Sequence, residues 1–162
     1  MSTLDIYNFI RVNDQLITGG QPTEEQIESA AKEGFKIVIN LATISPRYSL
    51  PDEAGLVHSL GMTYHHIPVV WSDPKESDFD AFEKLFQQLG AEKILLHCAA
   101  NYRVSAFYSL YALKHLGWSE ARADAFRAPI WASSDFPVWE DLIRRIKLKI
   151  LSANNANRAN EK

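Results

Sequence analysis

The 162-residue chain is 46% hydrophobic, which is enough apolar content for one domain with a substantial core. Its 17 Lys and Arg residues and 20 Asp and Glu residues give a formal net charge of −3, so the composition offers no basic field for nucleic acid or an anionic membrane. The single cysteine excludes an internal disulfide, and neither a signal peptide nor a membrane-spanning apolar run is evident. We therefore predict a cytoplasmic protein without nucleic-acid or membrane partners.

Hydrophobic periodicity and turn residues predict strands and helices that alternate along most of the chain. Strands are expected at about residues 9–12, 15–18, 36–41, 62–70 and 94–96. Helices are expected at about residues 23–33, 52–60, 77–89, 102–116, 119–126 and 137–151. Thr23 and Gln26 have the spacing of a capping box, and Gly34 suits a left-handed stop after the first helix.

This alternation favours a three-layer α/β domain, in which a mainly parallel sheet of four or five strands carries helices on both faces. The first two strands flank the turn pair Asn13-Asp14 and would form a hairpin at one edge. We predict a single domain over residues 1–151. Residues 152–162 lack apolar periodicity, so we expect a disordered tail there.

The only cysteine, Cys98, stands between a short apolar strand and a broadly apolar helix. At such a turn, the unpaired N–H groups of the loop and of the first helical residues converge, so they would hold an anion and favour a thiolate. Arg103 adds a planar cation whose N–H groups match phosphate oxygens. The segment therefore predicts an anion-binding loop around a nucleophile.

The loop resembles the signature of the cysteine-dependent protein tyrosine and dual-specificity phosphatases, in which His-Cys ends a strand and Arg and Ser begin a helix. That signature has five residues between Cys and Arg, whereas only residues 99–102 separate Cys98 from Arg103. Either the loop is one residue short, or Ser105 keeps its position and Val104 stands where the arginine is expected. The second alignment would turn the guanidinium by about 100° around the helix start. The sequence leaves both alignments open.

Two further resemblances bear on the family. Residues 17–22 (Ile-Thr-Gly-Gly-Gln-Pro), followed by the strand at 37–41, resemble the opening of a bacterial branch of these phosphatases that is sometimes fused to metallo-β-lactamase-like hydrolases. The spacing of Cys98 and Arg103 also resembles rhodanese-type sulfurtransferases, with Asn101 in place of their usual glycine. Asn is tolerated in left-handed conformations, so that replacement is physically possible. Rhodanese domains do not share the opening segment.

The phosphatase resemblance implies hydrolysis of a phosphomonoester through a phosphocysteine intermediate, with no metal or other cofactor. Cys98 would attack phosphorus, His97 would orient the loop, and Ser105 would assist departure of the thiolate. The phosphate would be held by Arg103 and by the turn residues Ala99, Ala100, Asn101, Tyr102 and Val104.

The same chemistry requires a carboxylic acid that protonates the leaving oxygen and later activates water. Asp73 is the best candidate because it lies on a loop that follows a strand, and Glu76 and Asp78 are the alternatives. The implied partner is a phosphorylated substrate, either a protein or a small molecule. A rhodanese-like sulfurtransferase and a catalytically silent phosphate-binding module stay open as alternative functions.

Overall fold

A computed structural model describes residues 2–160, with side chains through residue 155. The strands are β1 (Ile10–Asn13), β2 (Leu16–Gly19), β3 (Ile37–Asn40), β4 (Thr63–His66) and β5 (Ile94–His97). The helices are α1 (Glu24–Lys32), α2 (Glu53–Ser59), α3 (Glu76–Gln88), α4 (Tyr102–His115), α5 (Glu120–Arg127) and α6 (Pro137–Asn160). Single 3-10 turns lie at Thr3–Asp5 and Ser133–Asp135.

The strands form one five-stranded sheet in the order β1-β2-β5-β3-β4. β1 and β2 are an antiparallel edge hairpin, and every other pair of neighbouring strands is parallel. Leu95 in β5 lies between Ile17 in β2 and Val38 in β3, so β5 is the central strand. The predicted α/β fold with a mainly parallel sheet is confirmed. The loop that carries Cys98 therefore leaves the middle of the sheet at its carboxyl end, where open α/β sheets bind ligands.

Alternate side chains of the inner strands enter two separate cores, one on each face of the sheet. Ile39 and Leu96 belong to the larger core, which α3 to α6 cover. Val38 and Leu95 belong to the smaller core, which α1 and α2 cover. Helices on both faces are therefore confirmed, and the loop after β5 ends at α4, which is buried from residue 103 to 113.

Local signals near the first helix also match the structure. Thr23 and Gln26 form the predicted capping box, with the Thr23 side chain accepting from the Gln26 N–H and the Gln26 side chain accepting in return. Gly34 has a φ of 93° after the end of α1, as its position predicted. These caps satisfy backbone groups that a helix end leaves unpaired.

Helix α6 is longer than predicted. It continues to Asn160, so residues 152–160, which we expected to be disordered, are helical. Neither glycine nor proline interrupts this segment, and the buried Trp139, Ile143 and Ile150 fix the preceding turns, so further turns need only ordinary helix propensity. Residues 161 and 162 lie outside the described residues. Within residues 2–160, no helix is both long and apolar enough to cross a membrane.

Candidate active site

Cys98 is fully buried directly after β5, and a tight turn leads from it to the first residue of α4. Its backbone N–H donates to the carbonyl of Gly19 at 3.3 Å, which joins the loop to the end of β2. Gly20 allows this approach, because a Cβ atom there would lie 2.6 Å from the carbonyl oxygen of Ala99. Asn101 ends the turn with a φ of 70°, the left-handed conformation that its side chain tolerates.

The carbonyl groups of the turn are held from outside it. They are the carbonyls of Cys98, Ala99 and Ala100. The Cys98 carbonyl lies 3.0 Å from the His97 ring. The Ala99 carbonyl accepts from the backbone N–H of Gln21 at 2.9 Å, and the Ala100 carbonyl accepts from the side-chain amide of Asn8 at 2.9 Å. Because the N–H of a trans peptide points away from its C=O, the following N–H groups face the interior of the loop.

The backbone N–H groups of Ala99, Tyr102, Arg103 and Val104 have no hydrogen-bond partner among the described residues, whereas that of Ser105 donates to Asn101 and an antiparallel bridge pairs Ala100 with Gly20. Part of this set belongs to the first turn of α4, where N–H groups are necessarily free and the helix dipole favours negative charge. The remainder belongs to the turn around Cys98. Such a set of N–H groups is suited to bind an anion.

Arg103 lies in the first turn of α4 and is only 5% exposed. Its Nη1 donates to the carbonyl of Val69 at 2.9 Å, and its guanidinium carbon is 5.9 Å from the centre of the Trp71 ring. Among the described residues, the other guanidinium N–H groups have no partner. The next residue, Val104, is fully buried in the larger core.

His97 is fully buried beneath the loop and contacts a residue that the sequence did not single out. Its Nε2 lies 2.6 Å from Oε2 of Glu53, and Oε1 of Glu53 accepts from the side chain of Gln21 at 2.7 Å. Burial opposes ionisation of Glu53, but the charge and hydrogen bond of His97 and the Gln21 amide outweigh it and lower the pKa of Glu53. In the sequence, Glu53 looks like an ordinary acidic residue in the first turn of a helix.

The three acid candidates occupy different surroundings. Asp73 lies on the loop between β4 and α3, with its side chain 70% exposed and 3.8 Å from Lys75. Glu76 pairs with Arg145 and Lys149 of α6, and Asp78 caps the start of α3. Only Asp73 is therefore free of a structural role.

Aromatic side chains hold this acid loop against α6. Trp71 stacks on Trp139 with ring centroids 5.1 Å apart, and the Trp139 indole N–H donates to the Trp71 carbonyl at 2.8 Å. Trp71 also contacts Tyr102, the first residue of α4, with centroids 5.7 Å apart. The loop that carries Asp73 and the loop that carries Cys98 are thus connected through one aromatic cluster.

Ser105 is buried one turn into α4. Its hydroxyl donates to the Tyr102 carbonyl at 3.1 Å and accepts from the indole N–H of Trp131 at 3.0 Å. Within the described residues, it makes no hydrogen bond to Cys98.

The chain is similar in sequence and structure to known proteins. No protein-family model matches the chain. Two crystal structures from Shewanella putrefaciens CN-32, described as "Putative phosphatase (DUF442)", superpose on it with a TM-score of 0.82. The first is 34% identical to this chain, and the match covers 89% of this chain and 91% of the crystallised one. The second is 35% identical, and the match covers 91% of this chain and 95% of the crystallised one. The chain belongs to the DUF442 family.

More distant relatives share part of the sequence or the fold. The chain is 25% identical over 104 residues to a beta-lactamase hydrolase-like protein of Xylella fastidiosa strain Temecula1, a match over 62% of the chain. The chain spans only 24% of that relative's length. Pseudomonas aeruginosa TpbA, also known in complex with phosphotyrosine, shares the fold with a TM-score of 0.70 at 14% identity, over 90% of each chain. The predicted resemblance to the tyrosine phosphatase superfamily and its bacterial branch is confirmed.

Proposed function

We propose that this protein hydrolyses phosphomonoesters through a phosphocysteine intermediate formed at Cys98. The observation that carries the proposal is the set of unpartnered backbone N–H groups, those of Ala99, Tyr102, Arg103 and Val104, near the buried cysteine. These groups match the oxygens of a phosphoryl group and stabilise the charge that develops on them. Membership of the DUF442 family supports the same chemistry.

The reaction has two steps. The Cys98 thiolate attacks phosphorus, the bond from phosphorus to the ester oxygen breaks, and Asp73 gives its proton to that leaving oxygen. The Asp73 carboxylate then takes a proton from water, whose oxygen attacks phosphorus while the bond between sulfur and phosphorus breaks. Inorganic phosphate leaves, and Cys98 and Asp73 return to their starting protonation states.

We further propose that the loop is one residue short and that Arg103 is the arginine that holds the phosphoryl group. Its guanidinium is anchored beside the loop by the Val69 carbonyl, and its other N–H groups are unpartnered among the described residues. Val104 faces the core, where a charged side chain would be costly. The contacts of Ser105 favour a role in fixing the start of α4, one turn away from the thiolate.

The substrate class we propose is an aryl phosphate, such as phosphotyrosine in a protein or a small phenolic ester. The complex of the fold relative TpbA with phosphotyrosine supports this class. Trp71 on the acid loop and Tyr102 at the start of α4 contact each other and offer aromatic surface for a phenyl ring.

The test is release of phosphate from an aryl phosphate by the native protein and by Cys98→Ser. We expect turnover that the substitution abolishes, and a radiolabelled phosphoenzyme trapped by acid quench from the native protein alone. Phosphate binding without turnover would instead support a silent binding module. Transfer of sulfur from thiosulfate to cyanide would support a sulfurtransferase.

A further inference from the structure

The ring of His97 lies between two oxygen atoms that can both accept a hydrogen bond. Nδ1 is 3.0 Å from the carbonyl oxygen of Cys98, and Nε2 is 2.6 Å from Oε2 of Glu53. His97 is fully buried and Glu53 is 7% exposed, so water does not compete for either contact. The pair is therefore a buried polar contact directly under Cys98.

The surroundings determine where the protons lie. A carbonyl oxygen only accepts, so Nδ1 of His97 must carry a proton. Glu53 accepts from the side-chain amide of Gln21 at its other oxygen, as an ionised carboxylate does. An ionised carboxylate also only accepts, so Nε2 carries a proton as well.

We infer that Glu53 is a positioning residue, which acts on the nucleophile loop through His97. It keeps His97 protonated at both ring nitrogens, so the ring holds the Cys98 carbonyl outward and places a positive charge beside the thiolate. Turning that carbonyl outward points the Ala99 N–H into the anion site. The inference rests on the proposed function, because it takes Cys98 to be the nucleophile.

Other charged and titratable groups lie near Glu53, His97 and Cys98 and also affect the pH dependence of Cys98 alkylation. His66 and Tyr64 of β4 lie near Glu53, and each interacts electrostatically with it. Arg103 contributes a second cation on the α4 side of the loop. Asp73 lies on the acid loop and is mostly exposed, so solvent screens its charge.

The test is the rate of Cys98 alkylation by iodoacetamide as a function of pH, in the native protein and in Glu53→Gln. The amide keeps the size and one hydrogen bond of the side chain but cannot balance an imidazolium. We expect the pH midpoint of alkylation to rise by about one unit, which is the order of effect that a neighbouring charge has on a titrating group. Protection of Cys98 by inorganic phosphate should weaken in parallel. Glu53→Asp keeps the charge, so its alkylation midpoint should lie between that of Glu53→Gln and that of the native protein.

The chain provides a matched control in Glu83 and His115. Nε2 of His115 lies 2.6 Å from Oε2 of Glu83, the same distance as in the His97–Glu53 pair, and Glu83 also pairs with Lys114 at 2.7 Å. Neither residue belongs to the nucleophile loop. Glu83→Gln should therefore leave the alkylation midpoint unchanged, whatever it does to thermal stability.

The outcomes separate the inference from the proposed function. A native midpoint near the value of a free thiol, about 8.5, would contradict the proposed function and the inference with it. An acid-shifted native midpoint that is identical in folded Glu53→Gln would overturn the inference alone. If Glu53→Gln does not fold, nitrogen NMR of native His97 decides the question. Two protonated ring nitrogens at pH 7 would support the inference, and a neutral ring would overturn it.

Discussion

Asn8 and Asn101 join the N-terminal segment to the nucleophile loop. Nδ2 of Asn101 donates to the carbonyl of Asn8 at 2.8 Å, and the side chain of Asn8 donates to the carbonyl of Ala100 at 2.9 Å. Both asparagines have positive φ angles, 51° for Asn8 and 70° for Asn101. Asparagine tolerates a positive φ, and its side-chain amide donates the hydrogen bond that joins the two segments.

The first prediction concerns the conformation of Asn101. Asn101→Ala and Asn101→Gly delete the same hydrogen bonds, but only alanine is strained at a φ of 70°. We expect the alanine variant to be less stable than the glycine variant by about 1–2 kcal/mol, the cost of the left-handed conformation. Urea unfolding of both variants measures the difference. Equal stabilities would mean that the turn changes its backbone conformation when the asparagine is lost.

The second prediction concerns the general acid. Asp73→Asn should lower turnover on an alkyl phosphate by about 10²–10⁴-fold, because an alkoxide leaving group needs a proton. Turnover on p-nitrophenyl phosphate should fall much less, since that leaving group is stable as an anion. Steady-state kinetics on both substrates gives the comparison.

Glu76→Gln is the control for this experiment. It breaks the ion pairs with Arg145 and Lys149 but should leave the ratio of the two turnover rates unchanged. If Glu76→Gln changes that ratio and Asp73→Asn does not, the acid is Glu76.

The third prediction concerns alkaline stability. Burial raises the pKa of Tyr108 to about 12, because the ionised phenol would lie in the larger core. The unfolded chain loses this proton near pH 10, so the contribution of Tyr108 to stability is complete below pH 10 and falls as the pH rises toward 12. Urea unfolding at pH 9 and pH 11 should show a loss in the native protein, of which about 1 kcal/mol is due to Tyr108 and is absent in Tyr108→Phe. An identical loss in the variant would assign the effect to other groups.

The sheet and its flanking helices could be predicted because each signal is local. Thr23 and Gln26 are three residues apart, and the β-branched run that forms β3 is continuous in sequence. The position of Cys98 between a strand and a helix likewise follows from neighbouring residues. The secondary structure that these local patterns favour is also the one that the tertiary contacts stabilise, so the prediction from sequence matches the fold.

The partners of the loop could not be predicted, because they depend on strand order. Glu53 is 44 positions from His97, and Asn8 is 92 positions from Ala100. These contacts exist only because β5 lies between β2 and β3, an order that periodicity does not encode. The extension of α6 was missed for another reason, since the polar turns after residue 151 carry no apolar stripe.

The last prediction decides between the two alignments of the arginine. Arg103→Ala should reduce turnover by about 10²–10³-fold, the usual cost of removing one charged or hydrogen-bonding contact to the transition state. Arg103→Lys, which keeps the charge but loses the planar fork, should recover only part of that loss.

Adding Val104→Arg to Arg103→Ala rebuilds the five-residue spacing of the phosphatase signature. Val104 is fully buried in the larger core, so an arginine there would be a buried charge without a partner and should cost several kcal/mol of stability. We expect the double variant to have a lower melting temperature than Arg103→Ala and no greater turnover, measured by calorimetry and phosphate release. A folded double variant that is more active than the native protein would show that Val104 occupies the place of the arginine, and that Arg103 is displaced.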